Sequence, residues 1–370
     1  MIKKKIRIYD LAFETKYRKQ FNKGVKKILD EGFLSNHTFV NKLENKFSKK
    51  NNSKYSIAVN SGTAAIELIL RSINIKNKKI IIGNNTFIAT AVAVKNSGGV
   101  PLPVDIDSKY FSLCPYELER TIKKNKDIGA VIIIHIAGLV TPNIYKIVSI
   151  CKKYNIPLVE DCAQAFGSTM RNKCVGNFGI AGAFSLQTTK VLTAGEGGIA
   201  VTNDKNLFDQ MSRNKFYGYS KNNKLLHITE GSNLKMSEFV ALAAICDLER
   251  VDSRVKKRQN LAHRYQKNLK NTEWITLAPV KNSTTSYYKQ IILSPIKRKI
   301  IYEEFNRYSV SPTGGVYFEP LNRQPILGKL SDKLFPNSSY FADNHFCPPC
   351  YPELSLSDID YICNILQKIT

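Results

Sequence analysis

The chain is short of acidic side chains. Thirty Asp and Glu stand against 55 Lys and Arg over 370 residues, a formal net charge of +25. Alone, that imbalance suggests nucleic acid or an anionic membrane surface as a partner. The arrangement that would serve such a partner is missing, because there is no long basic tail and no basic motif interleaved with aromatics. The lysines fall in short groups, Lys3-Lys4-Lys5, Lys76 with Lys78-Lys79, Lys123-Lys124 and Lys256-Lys257-Arg258. They read as a solvated, lysine-rich surface whose field also draws in phosphorylated cofactors and substrates. A non-enzymatic regulatory or nucleic-acid-binding protein is thereby kept only as a remote alternative.

Long apolar runs are also wanting. Ala130 to Ile134 is far too short to cross a bilayer. Met1 to Arg7 is charged but leads into no apolar stretch and no small-residue cleavage site, so no signal peptide is expected. The eight cysteines form no dense framework. Cys347-Pro348-Pro349-Cys350 has the C-x-x-C form, yet no second pair or histidine cluster completes a zinc site. Reduced thiols, a cytoplasmic location and no metal are the expectations.

What is present is an α/β pattern of ordinary glycine and proline content. Tyr55–Val59, Ile80–Ile82, Leu102–Asp105, Ala130–His135 and Ile156–Val159 read as strands. Helical segments fall between them, near Ala64–Leu70, 115–124 and 142–153. Strands alternating with helices imply right-handed crossovers and a mainly parallel sheet. Val40, Leu43 and Phe47 recur at helical spacing behind the potential caps Ser35 and Asn36. Val240, Ala244, Leu248 and Val251 mark a further long helix. Tyr287 to Leu293 reads as a strand and Tyr302 to Phe305 as helix. We divide the chain into a large domain, 1–255, and a smaller C-terminal one, 256–370.

The centre of the sequence is Glu160-Asp161-Cys162-Ala163-Gln164-Ala165-Phe166-Gly167, then Ala183-Phe184-Ser185-Leu186-Gln187-Thr188-Thr189-Lys190 and Gly195-Glu196-Gly197-Gly198. The apolar run before it delivers Asp161 to the carboxyl end of a strand, where open α/β sheets bind ligands. Pyridoxal 5′-phosphate requires a lysine for its aldehyde, a carboxylate for its pyridine nitrogen and small donors for its phosphate. Asp161, Lys190 and Ser185 supply that set. Taken singly, each also suits a helix cap, a surface charge or a loop residue.

Those same three segments resemble the signature of the DegT/DnrJ/EryC1/StrS family, aminotransferases that act on keto sugars and keto cyclitols. The resemblance implies a fold-type I pyridoxal-phosphate enzyme, with Lys190 and Asp161 as catalytic residues. A lysine rather than a histidine at 190 favours transamination over dehydration. It further implies that Gly62 and Thr63 of Ser61-Gly62-Thr63 contact the phosphate, a role that suits a strand-turn-helix junction. Phe87 is placed against the ring face, Gln164 against the ring oxygen and Ser185 on the phosphate. Asn233 is expected to reach across a homodimer to the neighbouring cofactor. Tyr317 and Glu196 are candidate acceptor contacts. His135 is equally read as a site residue or as structural.

Two departures from the family pattern stand out. Gly83-Asn84-Asn85 replaces a proline before Thr86, and Leu234-Lys235 follows Asn233 in place of Tyr-Arg. The expected activity moves nitrogen from glutamate or glutamine to a keto sugar, foremost a nucleotide-linked keto-deoxysugar. A keto cyclitol of the scyllo-inosose type is the near alternative.

Overall fold

The computed structural model describes residues 5–220, 222–223, 225–312 and 314–369. Lys3 and Lys4 of the N-terminal lysine group lie outside these. Among the described residues the first part of the chain forms strands β1 (Tyr55–Val59), β2 (Lys79–Gly83), β3 (Val100–Val104), β4 (Ile128–Ile134), β5 (Leu158–Asp161), β6 (Thr169–Met170), β7 (Lys173–Cys174), β8 (Ala181–Ser185) and β9 (Gly198–Thr202). The helices of this part are α1 (Thr15–Glu31), α2 (Thr38–Asn51), α3 (Gly62–Ser72), α4 (Ala89–Asn96), α5 (Pro115–Lys124), α6 (Ile144–Lys153) and α7 (Lys205–Asn214).

Seven strands make one sheet in the order β1-β9-β8-β5-β4-β2-β3. Pairing from β8 to β3 is parallel, while β9 runs against both β1 and β8. Consequently β1, β2, β3, β4, β5 and β8 all present their carboxyl ends at one edge. The sheet is buried on both faces, which explains its continuous apolar strands. In β4, Val131 and Ile133 enter one core while Ala130, Ile132 and Ile134 enter the other. Each such isoleucine contributes roughly 1.5–3 kcal/mol of burial.

The same alternation separates two adjacent carboxylates. Glu160 follows Leu158 to one side of β5, and Asp161 follows Val159 to the other. Glu160 accepts N–H groups from Gly176 (2.8 Å), Phe178 (2.5 Å) and Gly179 (2.8 Å) and pairs with His135 Nε2 at 2.8 Å. Its two oxygens are thereby fully used, so the buried trio His135, Glu160 and Cys162, the one metal-compatible cluster among the described residues, reads as a structural brace. His135 belongs to that brace through its contact with Glu160.

Two local expectations need correction. The start of α2 is capped by neither Ser35 nor Asn36. The carboxylate of Glu238, only 1% exposed, accepts the N–H groups of His37 (2.7 Å), Phe39 (2.6 Å) and Val40 (3.1 Å). A carboxylate at a helix N-terminus satisfies orphan donors and meets the positive dipole end. The predicted long helix is two, α8 (Glu238–Leu248) and α9 (Val251–Asn268).

The C-terminal part adds β10 (Ile275–Thr276), β11 (Ser283–Thr284), β12 (Ile292–Leu293), α10 (Arg298–Arg307), α11 (Pro336–Asn344), β13 (His345–Phe346) and α12 (Leu356–Lys368). β12 is far shorter than the expected strand from Tyr287, because Tyr287 takes a left-handed φ of 47°. α9 runs straight through the expected division at 255/256, with Val251 in the large core and Leu261 and Tyr265 in the C-terminal one. Ile6 joins that C-terminal core and bridges to Val310.

Candidate active site

A cavity of about 400 Å³ opens at the carboxyl edge of the sheet, between β1, β2, β5 and β8 and the C-terminal part. Gly62, Thr63, Phe87, Asp161, Gln164, Ser185, Lys190 and Glu196 all line it. Segments far apart in sequence meet there because each follows a strand that ends at this edge.

Asp161 is 6% exposed. Its Oδ2 accepts the Thr90 hydroxyl at 2.7 Å and its Oδ1 the Ala163 N–H at 3.1 Å. Thr90 is in turn 3.0 Å from the Thr86 hydroxyl. These bonds fix the carboxylate and leave lone pairs for a ligand donor. Thr90, at the start of α4, is a site residue that sequence reasoning missed.

The start of α3 forms the opposite wall. Ser61 caps it, its hydroxyl accepting the Ala64 N–H at 3.0 Å. A Cβ built on Gly62 would stand 2.7 Å from the Cβ of Ser185. Glycine is therefore required by close approach, and the helix N-terminus and the Ser185 hydroxyl converge on one point. Free N–H groups, the positive dipole end and two hydroxyls, Thr63 and Ser185, make an anion site. β9 secures this arrangement, since Ser61 bridges to Gly197.

Gln164 Oε1 accepts the N–H of Ala137 at 2.7 Å. That leaves its amide N–H groups as the donors available to the cavity. Phe87, 60% exposed, offers its ring at the cavity wall. The loop before it follows its own course. Asn84, fully buried, exchanges amide hydrogen bonds with Asn322, one to its side chain and one to its backbone N–H, each 2.8 Å. This pairing does the work of a rigid proline in fixing the loop.

Lys190 follows the turn from Ser185, its N–H donating to Gln187 O at 2.8 Å. Its Nζ lies 4.4 Å from the centroid of the Tyr288 ring, and among the described residues no carboxylate pairs with it. Tyr288 and Val316 also line the cavity, and neither was singled out from sequence. Glu196 is exposed at the rim.

Two expected residues lie elsewhere. Tyr317 is 4% exposed and packs against Phe341 and His345 in the core, so its neighbour Val316 is what meets the cavity. Asn233 is exposed and stands outside this chain's cavity, its carbonyl accepting from Asn60 Nδ2 at 3.4 Å.

GDP-perosamine synthase of Escherichia coli O157:H7 is 28% identical over 350 residues, covering 93% of this chain and 94% of that one. The dTDP-3-amino-3,6-dideoxy-alpha-D-galactopyranose transaminase of Aneurinibacillus thermoaerophilus is 26% identical over 355 residues, covering 95% and 96%. The crystal structure of DesV from S. venezuelae superposes with a TM-score of 0.89 at 23% identity, over 95% of this chain and 94% of that one. The family pattern itself matches residues 15–367, and the chain belongs to the DegT/DnrJ/EryC1/StrS aminotransferase family.

Proposed function

We propose that the cavity holds pyridoxal 5′-phosphate at Lys190 and that the enzyme moves an amino group from glutamate or glutamine to the ketone of a nucleotide-linked keto-deoxysugar. The observation that carries this reading is the convergence of Asp161, Lys190 and the Gly62–Ser185 anion site on one cavity. The donor set fits the cofactor: a lysine amine over the Tyr288 ring for its aldehyde, a buried carboxylate for its pyridine nitrogen and a close cradle for its phosphate. When bound, pyridoxal phosphate supplies an electron sink for the electrons released at the donor's Cα.

The chain's own residues do the rest. Asp161, held by Thr90, keeps a proton on the ring nitrogen through a charge-assisted hydrogen bond. Phe87 would cover a ring face and exclude water, while the free amide N–H groups of Gln164 would donate to the ring oxygen. The Lys190 amine would take the proton from the donor's Cα, a role that general acid-base catalysis makes worth about 10²–10⁴-fold. The names of the related perosamine and aminodideoxygalactose enzymes support a nucleotide-linked sugar as acceptor.

We further read the enzyme as a homodimer in which Asn233 completes the partner's phosphate site. What supports this is that Asn233 sits outside its own cavity, on a loop that also exposes Tyr217, Leu226 and Ile228. A reducing cytoplasmic setting suits the eight free thiols. No helix among the described residues is long and apolar enough to cross a membrane.

Borohydride reduction of the coenzyme-loaded protein followed by peptide mapping should find the pyridoxyl label on Lys190. Absence of label with coenzyme in excess overturns the cofactor assignment. Incubation with glutamate or glutamine and a panel of keto acceptors should then aminate nucleotide-linked keto-deoxysugars. Turnover of scyllo-inosose alone would move the enzyme to the cyclitol branch.

A further inference from the structure

Tyr288 lines the cavity beneath Lys190. Its side chain is 9% exposed, with the Lys190 ammonium 4.4 Å from its ring centroid. Its Oη is 3.0 Å from the Thr189 hydroxyl, and that hydroxyl is 2.8 Å from Gln187 Oε1. The backbone N–H of Thr189 also donates to Gln187 Oε1, at 2.9 Å, which fixes the amide's oxygen on this side.

An amide oxygen only accepts. The Thr189 hydroxyl therefore spends its proton on Gln187 and must accept the proton of Tyr288. The lone pairs of the Tyr288 oxygen are left for the neighbouring ammonium. The backbone beneath is held as well: Arg258 Nη1 donates to the carbonyls of Tyr288 (3.2 Å) and Tyr287 (3.4 Å), and Gln266 donates to the Tyr287 hydroxyl at 2.9 Å.

We propose that Tyr288 is a positioning residue for the transfer. Its ring face and phenol oxygen hold the Lys190 amine on the cavity side whenever that amine is not covalently engaged, so that it takes up and returns its proton from one place. This rests on the reading of Lys190 as the cofactor-bearing amine. The charged groups around the phenol are the ammonium groups of Lys190 and Lys289, the latter 5.8 Å from the ring centroid, with Arg258 behind the backbone and Asp161 and Glu196 lining the same cavity. Burial by itself pushes the phenol up. The two neighbouring ammonium groups, Lys190 foremost, oppose it and bring the phenol below its ordinary value.

The test begins with the full-length protein freed of cofactor. The ultraviolet difference between wild type and Tyr288→Phe isolates this phenol's ionisation. We expect it to titrate below a free tyrosine in wild type and to move upward in Lys190→Ala, with Lys190→Met as the second variant should the first misfold. In the loaded enzyme, Tyr288→Phe should lower kcat on the order of 100-fold, the scale of a misplaced reacting group, with KM for the amino donor unchanged. Thr189→Ser should retain wild-type behaviour, whereas Thr189→Val should shift both the titration and kcat. A phenol titration that ignores the loss of Lys190, or a Tyr288→Phe effect confined to KM, overturns the assignment. Borohydride labelling separates the two readings: an unlabelled wild-type Lys190 removes the cofactor assignment, and a labelled one with an unmoved phenol removes only the role of Tyr288.

Discussion

Gly62→Ala is the sharpest probe of the anion site, because helix propensity and packing pull in opposite directions. In the first turn of α3 an alanine should stabilise by at most about 1 kcal/mol. The added Cβ, however, would stand 2.7 Å from Ser185 Cβ and 3.2 Å from both Ser185 Cα and Ser185 Oγ. Carbon contacts are comfortable at roughly 3.5–4 Å. The end of β8 must therefore retreat by about 1 Å, and overpacking of this kind costs about 1–3 kcal/mol. The net loss of stability is about 0–2 kcal/mol. Retreat carries the Ser185 hydroxyl off the phosphate, and a hydrogen bond to a charged group contributes about 1.5–3 kcal/mol. Cofactor affinity should fall roughly 10- to 150-fold by the same figures. Absorbance titration of cofactor-free protein with pyridoxal phosphate measures the affinity, and a thermal melt measures the stability. Ser185→Ala should reproduce the affinity loss with little change in the melt. A Gly62→Ala protein that binds the cofactor as tightly as wild type would refute the close-approach argument.

Three further outcomes are expected. Asp161→Asn should lower kcat by about 10²–10³-fold, the scale of one lost electrostatic contact in an active site, with a much smaller change in cofactor affinity; steady-state kinetics and the same titration check it. Glu238→Ala should strip the start of α2 of its acceptor and destabilise by about 2–4 kcal/mol, two buried N–H groups and one half-buried losing their partner; Glu238→Gln, which keeps one oxygen, should lose less in a urea melt. His345 is held neutral, burial being the chief cause, and is pushed down to about 3. A depressed histidine contributes stability above its unfolded value near 6.5, and that contribution is lost as pH falls toward 3, by up to about 1.4 kcal/mol per pH unit. Acid melts of His345→Gln should be correspondingly less steep below pH about 6.5.

Much of the sheet was legible because its strands are buried on both faces and so read as uninterrupted apolar runs; Tyr55–Val59 and the helix Pro115–Lys124 match their segments residue for residue. Asp161 was legible as the residue at a strand end, whereas Gly62, Thr63, Phe87 and Gln164 were marked only by the family resemblance; all of them line the cavity. What escaped depends on contacts between distant segments. Glu238 looks like an ordinary first-turn acid of α8, and only the fold brings it under α2. Tyr288 sits in a stretch that reads as strand, and the left-handed Tyr287 that aims it leaves no mark in the pattern. Tyr317 and Val316 differ by one position, and an irregular loop has no period from which to tell which one faces the cavity.

The Asn84–Asn322 clasp has a mechanical consequence. With the Leu321 N–H also donating to Asn84 O at 3.0 Å, three bonds tie the strand-end loop that carries Phe87 to the turn Leu321–Arg323 of the C-terminal part. A shift of that turn is passed to the loop that carries Phe87, so, on the proposed reading of the cavity, Asn322→Ala should change the absorbance of added pyridoxal phosphate.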